Sequence, residues 1–191
     1  MKKVFFIGYN KTATKAFHFL FKHAGYRSAH YSCALSNGVP AILAQIMKQN
    51  QDSYYPILHG IDRFQIYSDM FWHREDEWID GIKYYKELYQ QYPDAYFVLQ
   101  TRDVESWLAS KRKHKGGAYM ERACEYHNGD DSKVLDWFVQ DREEHHRNVR
   151  EYFKENPKFI EFDINEDSID DLINFFLPDF ILTEKHWQIV N

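Results

Sequence analysis

Apolar stretches of strand length, alternating with amphipathic stretches of helix length, predict a three-layer α/β/α domain around a mostly parallel sheet. Three observations carry this. Val4-Phe5-Phe6-Ile7 is apolar without alternation, as in a strand covered on both faces. Ala95 to Gln100 is a second run of that kind. Each passes at once through a turn into a helical pattern, the strand-then-helix order of a parallel sheet. At 191 residues the chain suits a single domain, residues 1–191.

The elements follow in order. After the first strand, Thr12 to Ala24 is helical, with Ala16, Phe17, Leu20 and Phe21 on one face and Gly25 as its stop. Tyr26 to Tyr31 is a weak strand. Asn37-Gly38 is a turn, Pro40 suits a first helical turn, and Ala41 to Lys48 continues that helix. Tyr54 to Ile61 is a third strand, whereas Asp62 to Glu75 has no clean period and reads as a functional loop. Glu77 to Tyr92 carries Trp78, Ile82, Tyr85, Leu88 and Tyr89 at helical spacing and stops before Pro93. Beyond the Ala95–Gln100 strand, Val104 to Lys113 is helical and Gly116-Gly117 breaks it. A short helix then runs to Tyr126, and Ser132 caps a long one to Lys154. Lys158 to Phe162 is a last strand and Ile169 to Phe176 a last helix. Ile181, Trp187 and Ile189 give the tail apolar weight to pack with.

Composition narrows the function. Hydrophobic residues are 44% and aromatics 18%, enough for a sizeable core and far from disorder. The net charge of −5 gives no general basis for binding nucleic acid, though a local basic pocket is compatible with it. Cys33 and Cys124 are too few for a disulfide framework and lack zinc-type spacing, so they read as reduced thiols. Asp141 and His145 have a metal-compatible spacing, but no third ligand can be assigned, and no metal site is read. No apolar run approaches the ~18 residues of a membrane span. Lys2-Lys3 with Val4 to Ile7 is too short for a signal-peptide core, which predicts a cytoplasmic protein.

Two stretches carry chemistry. Gly8 to Thr14 joins the first strand to the first helix, so its backbone N–H groups and the helix dipole would face an anion, with Lys11 adding a full charge. Only the Lys11-Thr12 end matches the usual phosphate-loop signature, since Asn10 and Phe5 stand where its glycines belong. A plain surface turn is the alternative. Thr101-Arg102-Asp103 leaves the Ala95–Gln100 strand, and ligands in such sheets bind beyond the carboxyl ends of the strands. Ser110, eight positions on, could share a phosphate with the Arg102 guanidinium.

Lys11-Thr12-Ala13-Thr14 after a first strand, taken with Arg102-Asp103 and Ser110, resembles the sulfotransferases that use 3′-phosphoadenosine 5′-phosphosulfate (PAPS). Gly25-Tyr26-Arg27 and Phe162-Asp163-Ile164 also look like that family, and the resemblance spans roughly residues 3 to 177. It implies a P-loop NTPase-like sulfotransferase fold and PAPS as cofactor. Lys11, Thr12, Ala13, Thr14 and Lys15 would hold the 5′-phosphosulfate, and Arg102 and Ser110 the 3′-phosphate. Three departures stand out. Ala13 replaces a loop glycine and is tolerable if its φ is negative. Lys15 replaces a hydroxyl residue, and Val104 replaces a proline.

The resemblance implies sulfuryl transfer from PAPS to a hydroxyl or amine, with Lys11 on the leaving-group charge and a base for the acceptor proton. His59, at the end of the expected third strand, and Asp69 stand level as that base, with His73 behind them. A structural role is as good a reading for each. The charged positions of the long helix, among them Arg142, His145 and His146, read as a solvated face, with His145 or Arg142 lining the acceptor cleft as the alternative. Trp72, Trp78, Tyr84 and Tyr85 read as packing residues before acceptor platforms. Carbohydrate, lipid, small phenol and peptide tyrosine all remain open as acceptors, and the oligomeric state is open too. Two rivals stand: a nucleoside or small-molecule kinase with Asp62 holding magnesium, and a non-catalytic relative that binds the nucleotide or an acidic partner.

Overall fold

The computed structural model describes residues 1–35 and 37–188. Strand β1 (Val4–Phe6) is fully buried and lies mid-sheet, because neither face offers a polar side chain to water. Helix α1 (Thr14–His23) follows it, then β2 (Ser28–His30), β3 (Ser32–Ala34), β4 (Pro40–Ile42) and α2 (Leu43–Asp52). Next come β5 (Ile66–Ser68), β6 (Phe71–His73), β7 (Trp78–Asp80), α3 (Tyr85–Gln91), β8 (Tyr96–Thr101) and α4 (Val104–Lys113). Helices α5 (Ala118–His127) and α6 (Asp131–Phe153), strand β9 (Phe159–Asp163) and helix α7 (Ile169–Phe175) complete the order.

The main sheet runs β4-β3-β2-β5-β1-β8-β9. Its five strands from β2 to β9 are parallel, and β3 and β4 add an antiparallel edge. Side chains alternate across it, so Phe5, Ile7, Phe97 and Leu99 join one core, against α2 to α6, while Val4, Phe6, Tyr96 and Val98 join the other, against α1 and α7. That is the three-layer arrangement the apolar runs predict. Parallel strands send all their carboxyl ends to one rim, and the loops after β1, β2, β5 and β8 meet there.

Several expectations are corrected. Tyr54 to Ile61 is not a strand but a series of turns. Asn50 donates to the carbonyls of Ile57 and His59, at 3.1 and 3.0 Å, and winds the segment up while Ile57, Leu58 and Ile61 plug the core. The third parallel strand is β5, inside the stretch expected to be a loop. Pro40 lies on the edge strand β4 rather than in a helix, where its missing N–H costs no internal ladder bond. The helix expected over Glu77–Tyr92 gives up its first turns to β7, which pairs with β6 in a separate hairpin, and to a 3₁₀ turn, Gly81–Tyr84. Its apolar spacing fits both periods over so short a run. Asp130, not Ser132, caps α6, accepting from the Lys133 N–H at 3.0 Å. In the tail Trp187 packs 4.8 Å from Phe17, Ile181 is 75% exposed, and Ile189 lies outside the described residues. Cys33 and Cys124 are free thiols.

No helix among the described residues is long and apolar enough to cross a membrane.

The tightest junction is between the β1 loop and β8. The Gly8 N–H donates to Gln100 Oε1 at 2.9 Å, and Gln100 Nε2 donates back to the Gly8 carbonyl at 3.0 Å, with Gln100 fully buried. A Cβ on residue 8 would lie 2.0 Å from the Gln100 carbonyl oxygen, a position no rotamer change relieves. Gly8→Ala is therefore expected to cost about 3 kcal/mol or more in chemical unfolding, at the upper end for overpacking. A loss below about 1 kcal/mol would show that the junction yields easily.

Candidate active site

Three side chains, from β8, the turn after it and α4, hold the backbone from Gly8 to Lys11. Besides Gln100, the Trp107 Nε1–H donates to the Asn10 carbonyl at 2.9 Å and Arg102 Nη1 donates to the Lys11 carbonyl at 3.3 Å. The Thr12 hydroxyl turns inward to the Tyr9 carbonyl, so this residue braces the loop and offers a ligand its backbone and remaining lone pairs. Helix α1 begins at Thr14, and the first N–H groups of a helix have no carbonyl partner in their own helix. The loop thus aims unpaired donors and the positive end of a helix dipole at the rim.

Ala13 has φ 58°, not the negative value expected for it. A left-handed alanine costs roughly 1–2 kcal/mol, which the clamped loop sustains and a glycine would avoid. Lys11 is left-handed as well, at φ 69°.

Lys11 stands between two recesses. The first, about 320 Å³, is lined by Asn10, Lys11, Thr14, Lys15, His30, Asp69 and the aromatic rings of Tyr31, Phe71 and Tyr119 among others. The second, about 640 Å³, takes in Arg102, Ser106, Ser110 and Lys113. Lys11, Ala13, His114 and Lys115 border both, so the recesses form one groove with Lys11 at its waist. The Lys11 ammonium donates to His114 Nδ1 at 3.5 Å, and burial lowers its pKa against the pull of Asp69. Ser106 and Ser110 share one face of α4, and Asp103 caps that helix on the Ser106 N–H at 2.8 Å. Val104, in place of proline, leaves the turn intact. Arg102 Nε is buried without a partner among the described residues, and the residue itself borders the second recess.

Asp69 directly follows β5 with φ 54°, a conformation that Asp tolerates better than most residues. Its side chain is 21% exposed on the first recess, with Oδ2 3.8 Å from His30 Nε2. Burial raises its pKa to about 6, held from going higher by His73, Lys11, Lys111 and Lys115. His30 is pushed down to about 4 by burial and Lys15, and is neutral beside it.

The other expected bases fare differently. His59 does not reach the groove: it is exposed on the turns before β5, stacked on Tyr55 at 4.9 Å. Without a strand at Tyr54–Ile61, nothing carries it to the rim. His73 borders the first recess but is engaged at both nitrogens. Nε2 donates to Asp80 Oδ1 at 2.7 Å, and Nδ1 accepts from the Tyr119 hydroxyl at 2.9 Å. Asp62 is exposed on the amino side of β5, far from the rim, and its carbonyl takes the Lys3 ammonium at 2.5 Å. It cannot serve as a magnesium ligand at a strand end.

Helix α6 is corrected most. Arg142, His145 and His146 are buried rather than solvated. Arg142 Nη2 donates to Thr101 Oγ1 and to the Arg102 carbonyl, at 2.6 and 2.7 Å, and His145 Nε2 donates to the Ile7 carbonyl at 2.7 Å. Both tie down the ends of β8 and β1 instead of lining the acceptor side. Trp78 stacks on His73 at 3.8 Å, as packing.

One residue of this neighbourhood, Lys111, has no signal in the sequence that marks it. Lys111 is 1% exposed, inside a cage of Phe138, Trp107 and Tyr119 rings, with Nζ 4.1, 4.7 and 5.0 Å from their centroids. Burial lowers its pKa to about 7 against Asp80, Asp141 and Asp69. It donates to the Tyr119 hydroxyl at 3.1 Å, which makes a directed chain from Lys111 through Tyr119 and His73 to Asp80 behind the recess. Only its lysine-like place on a helix face was legible, one turn after Trp107.

The strain at Ala13 generates an expectation. Ala13→Gly relieves the left-handed Cβ and should raise the melting temperature by ~2–4 °C for each kcal/mol released in a chain of this size. A lowered melting temperature would mean that the alanine methyl makes contacts worth more than its strain.

A search of curated proteins returns no match. Comparison with protein families matches a sulfotransferase domain over residues 3–177. That match covers both walls of the groove and every element from β1 to α7, and the parallel sheet with its flanking helices is the architecture it requires. The chain belongs to the sulfotransferase domain family and is a transferase of sulfuryl groups.

Proposed function

We propose that the donor is PAPS and that the acceptor is a hydroxyl compound deprotonated by Asp69. The observation that carries this reading is the position of Lys11, common to the recess of Asp69 and to that of Arg102 and Ser110. A doubly phosphorylated nucleotide fits such a groove. Arg102 and Ser110, which line the second recess together, would take the 3′-phosphate. The N–H groups around Thr12 to Lys15, with the Thr14 hydroxyl, would take the 5′ end. The bound donor supplies an activated sulfuryl group and a phosphate leaving group.

The protein's own part follows from the geometry and charge. Lys11, fixed by the clamped loop, offsets the negative charge that grows on the bridging oxygen. Asp69, across the waist, accepts the acceptor proton, and a carboxylate with pKa near 6 is both ionised and usefully basic at neutral pH. Holding donor and acceptor on opposite sides of one lysine favours in-line attack.

Two outcomes are expected. Because the base works ionised, kcat should fall as pH drops through about 6, and Asp69→Asn should lower kcat by ~10²–10⁴ while sparing nucleotide affinity. The sign for stability is opposite. A carboxyl whose folded pKa exceeds its unfolded value stabilises the fold below pH ~4, and that contribution is lost as pH rises through about 6. Asp69→Asn should therefore melt higher than the parent at pH 8. A variant that loses both activity and stability would make Asp69 a structural residue. Separately, Arg102→Ala should weaken binding of 3′,5′-adenosine bisphosphate by ~1.5–3 kcal/mol in calorimetry. Unchanged affinity would remove the 3′-phosphate assignment.

A further inference from the structure

The first recess holds a charge imbalance that the donor does not account for. Lys11, Lys15, Arg74, Lys115 and Arg122 border it, against one carboxylate, Asp69, in a chain whose net charge is −5. Among the described residues none of the five lies within 4.0 Å of a carboxylate. Lys11 and Lys115 also border the second recess, where the donor's 3′-phosphate would lie. Arg74 and Arg122 do not.

Both arginines are held in place. Arg74 follows β6, with its guanidinium carbon 4.0 Å from the Trp72 ring centroid and Nη1 donating to the His73 carbonyl at 3.0 Å. Arg122 projects from α5 one turn beyond Tyr119, half-buried, and its Nε has no partner among the described residues. An unpartnered, partly desolvated guanidinium is costly unless an anion meets it. The histidines of the recess add no charge, since burial holds His30 and His114 near 4 and lowers His73. The rings of Tyr31, Phe71 and Tyr119 line the same recess as the arginines and Asp69.

On the reading of this groove as a sulfotransferase site, we propose that the acceptor is itself an anion: a small phenol or sugar bearing a carboxylate or sulfate group. Arg74 and Arg122 take the acid group, the rings take the flat or apolar body, and the hydroxyl lies toward Asp69. Guanidinium forks match such planar oxyanions in two-point contact. Cations lining one recess of an acidic protein would also concentrate an anionic acceptor there.

The test uses the full chain with PAPS and matched acceptors: 4-hydroxyphenylacetate against 4-ethylphenol, and a phenyl glucuronide against the phenyl glucoside. The expected result is a KM at least about tenfold lower for each acidic partner, narrowing as salt is raised. Whichever acidic compound turns over best then tells phenol from sugar. Arg122→Gln and Arg74→Gln should each shrink the preference by about tenfold while affinity for 3′,5′-adenosine bisphosphate holds. Should either variant fold poorly, calorimetry of the acidic and neutral phenols on the parent saturated with the bisphosphate gives the same comparison. Equal or better use of neutral acceptors, with the bisphosphate still bound, overturns the anionic acceptor and leaves the sulfotransferase reading standing. No binding of the bisphosphate removes both.

Discussion

A two-way amide pair between Gly8 and Gln100 fixes where every functional group can go. It joins the first turn of the chain to the end of the strand nearly a hundred residues later, inside a dry core where an unmet amide would cost ~1–3 kcal/mol. Only glycine fits at that point, because a side chain would run into the Gln100 backbone. Once the pair forms, Arg102 is brought against the Lys11 carbonyl and Trp107 against that of Asn10. The loop and the arginine are therefore one assembly rather than two motifs that happen to face the same way. Arg142 and His145 reinforce it from α6, each spending a buried donor on the end of a central strand.

The same rim concentrates the groups that a folded chain would otherwise avoid. Left-handed Lys11, Ala13 and Asp69 all border the groove, and Asp69 and Lys111 are both pushed toward neutrality by burial. Such features weaken the fold locally, and their clustering at strand ends is what a site held ready for a charged ligand requires. The two hydrophobic layers supply the stability that carries them. Rings from Phe5, Tyr67, Phe97 and Phe153 fill one side, and Phe6, Phe17, Phe21 and Phe176 the other.

The sequence discloses the architecture where burial is two-sided and helices are long. Val4–Ile7, Tyr96–Thr101 and α1 need no context, and their periods alone predict them. Legibility fails where short apolar runs serve two periods. Trp78 to Ile82 satisfies a helix and a hairpin equally, and Ile57, Leu58 and Ile61 are buried from a run of turns, which mimics a strand in composition. The cost of the second error is His59, whose promise rested on a strand that does not exist. Charge misleads in a related way on α6, where Arg142 and His145 look solvated until their partners, distant backbone carbonyls, are known. Lys11 and Arg102 were readable because each follows a clear strand. Lys111 and Arg122 were not, since a lysine or arginine on a helix face says nothing about the cage or cavity it enters.

On the proposed reading, Lys11 and Arg102 serve opposite ends of one nucleotide. A crystal structure of the chain with 3′,5′-adenosine bisphosphate measures this directly. One phosphate should rest on Arg102 and Ser110 and the other on the turn from Lys11 to Lys15, leaving Asp69 open to an acceptor. A nucleotide bound elsewhere, or one that touches the turn while Arg102 faces solvent, would contradict it.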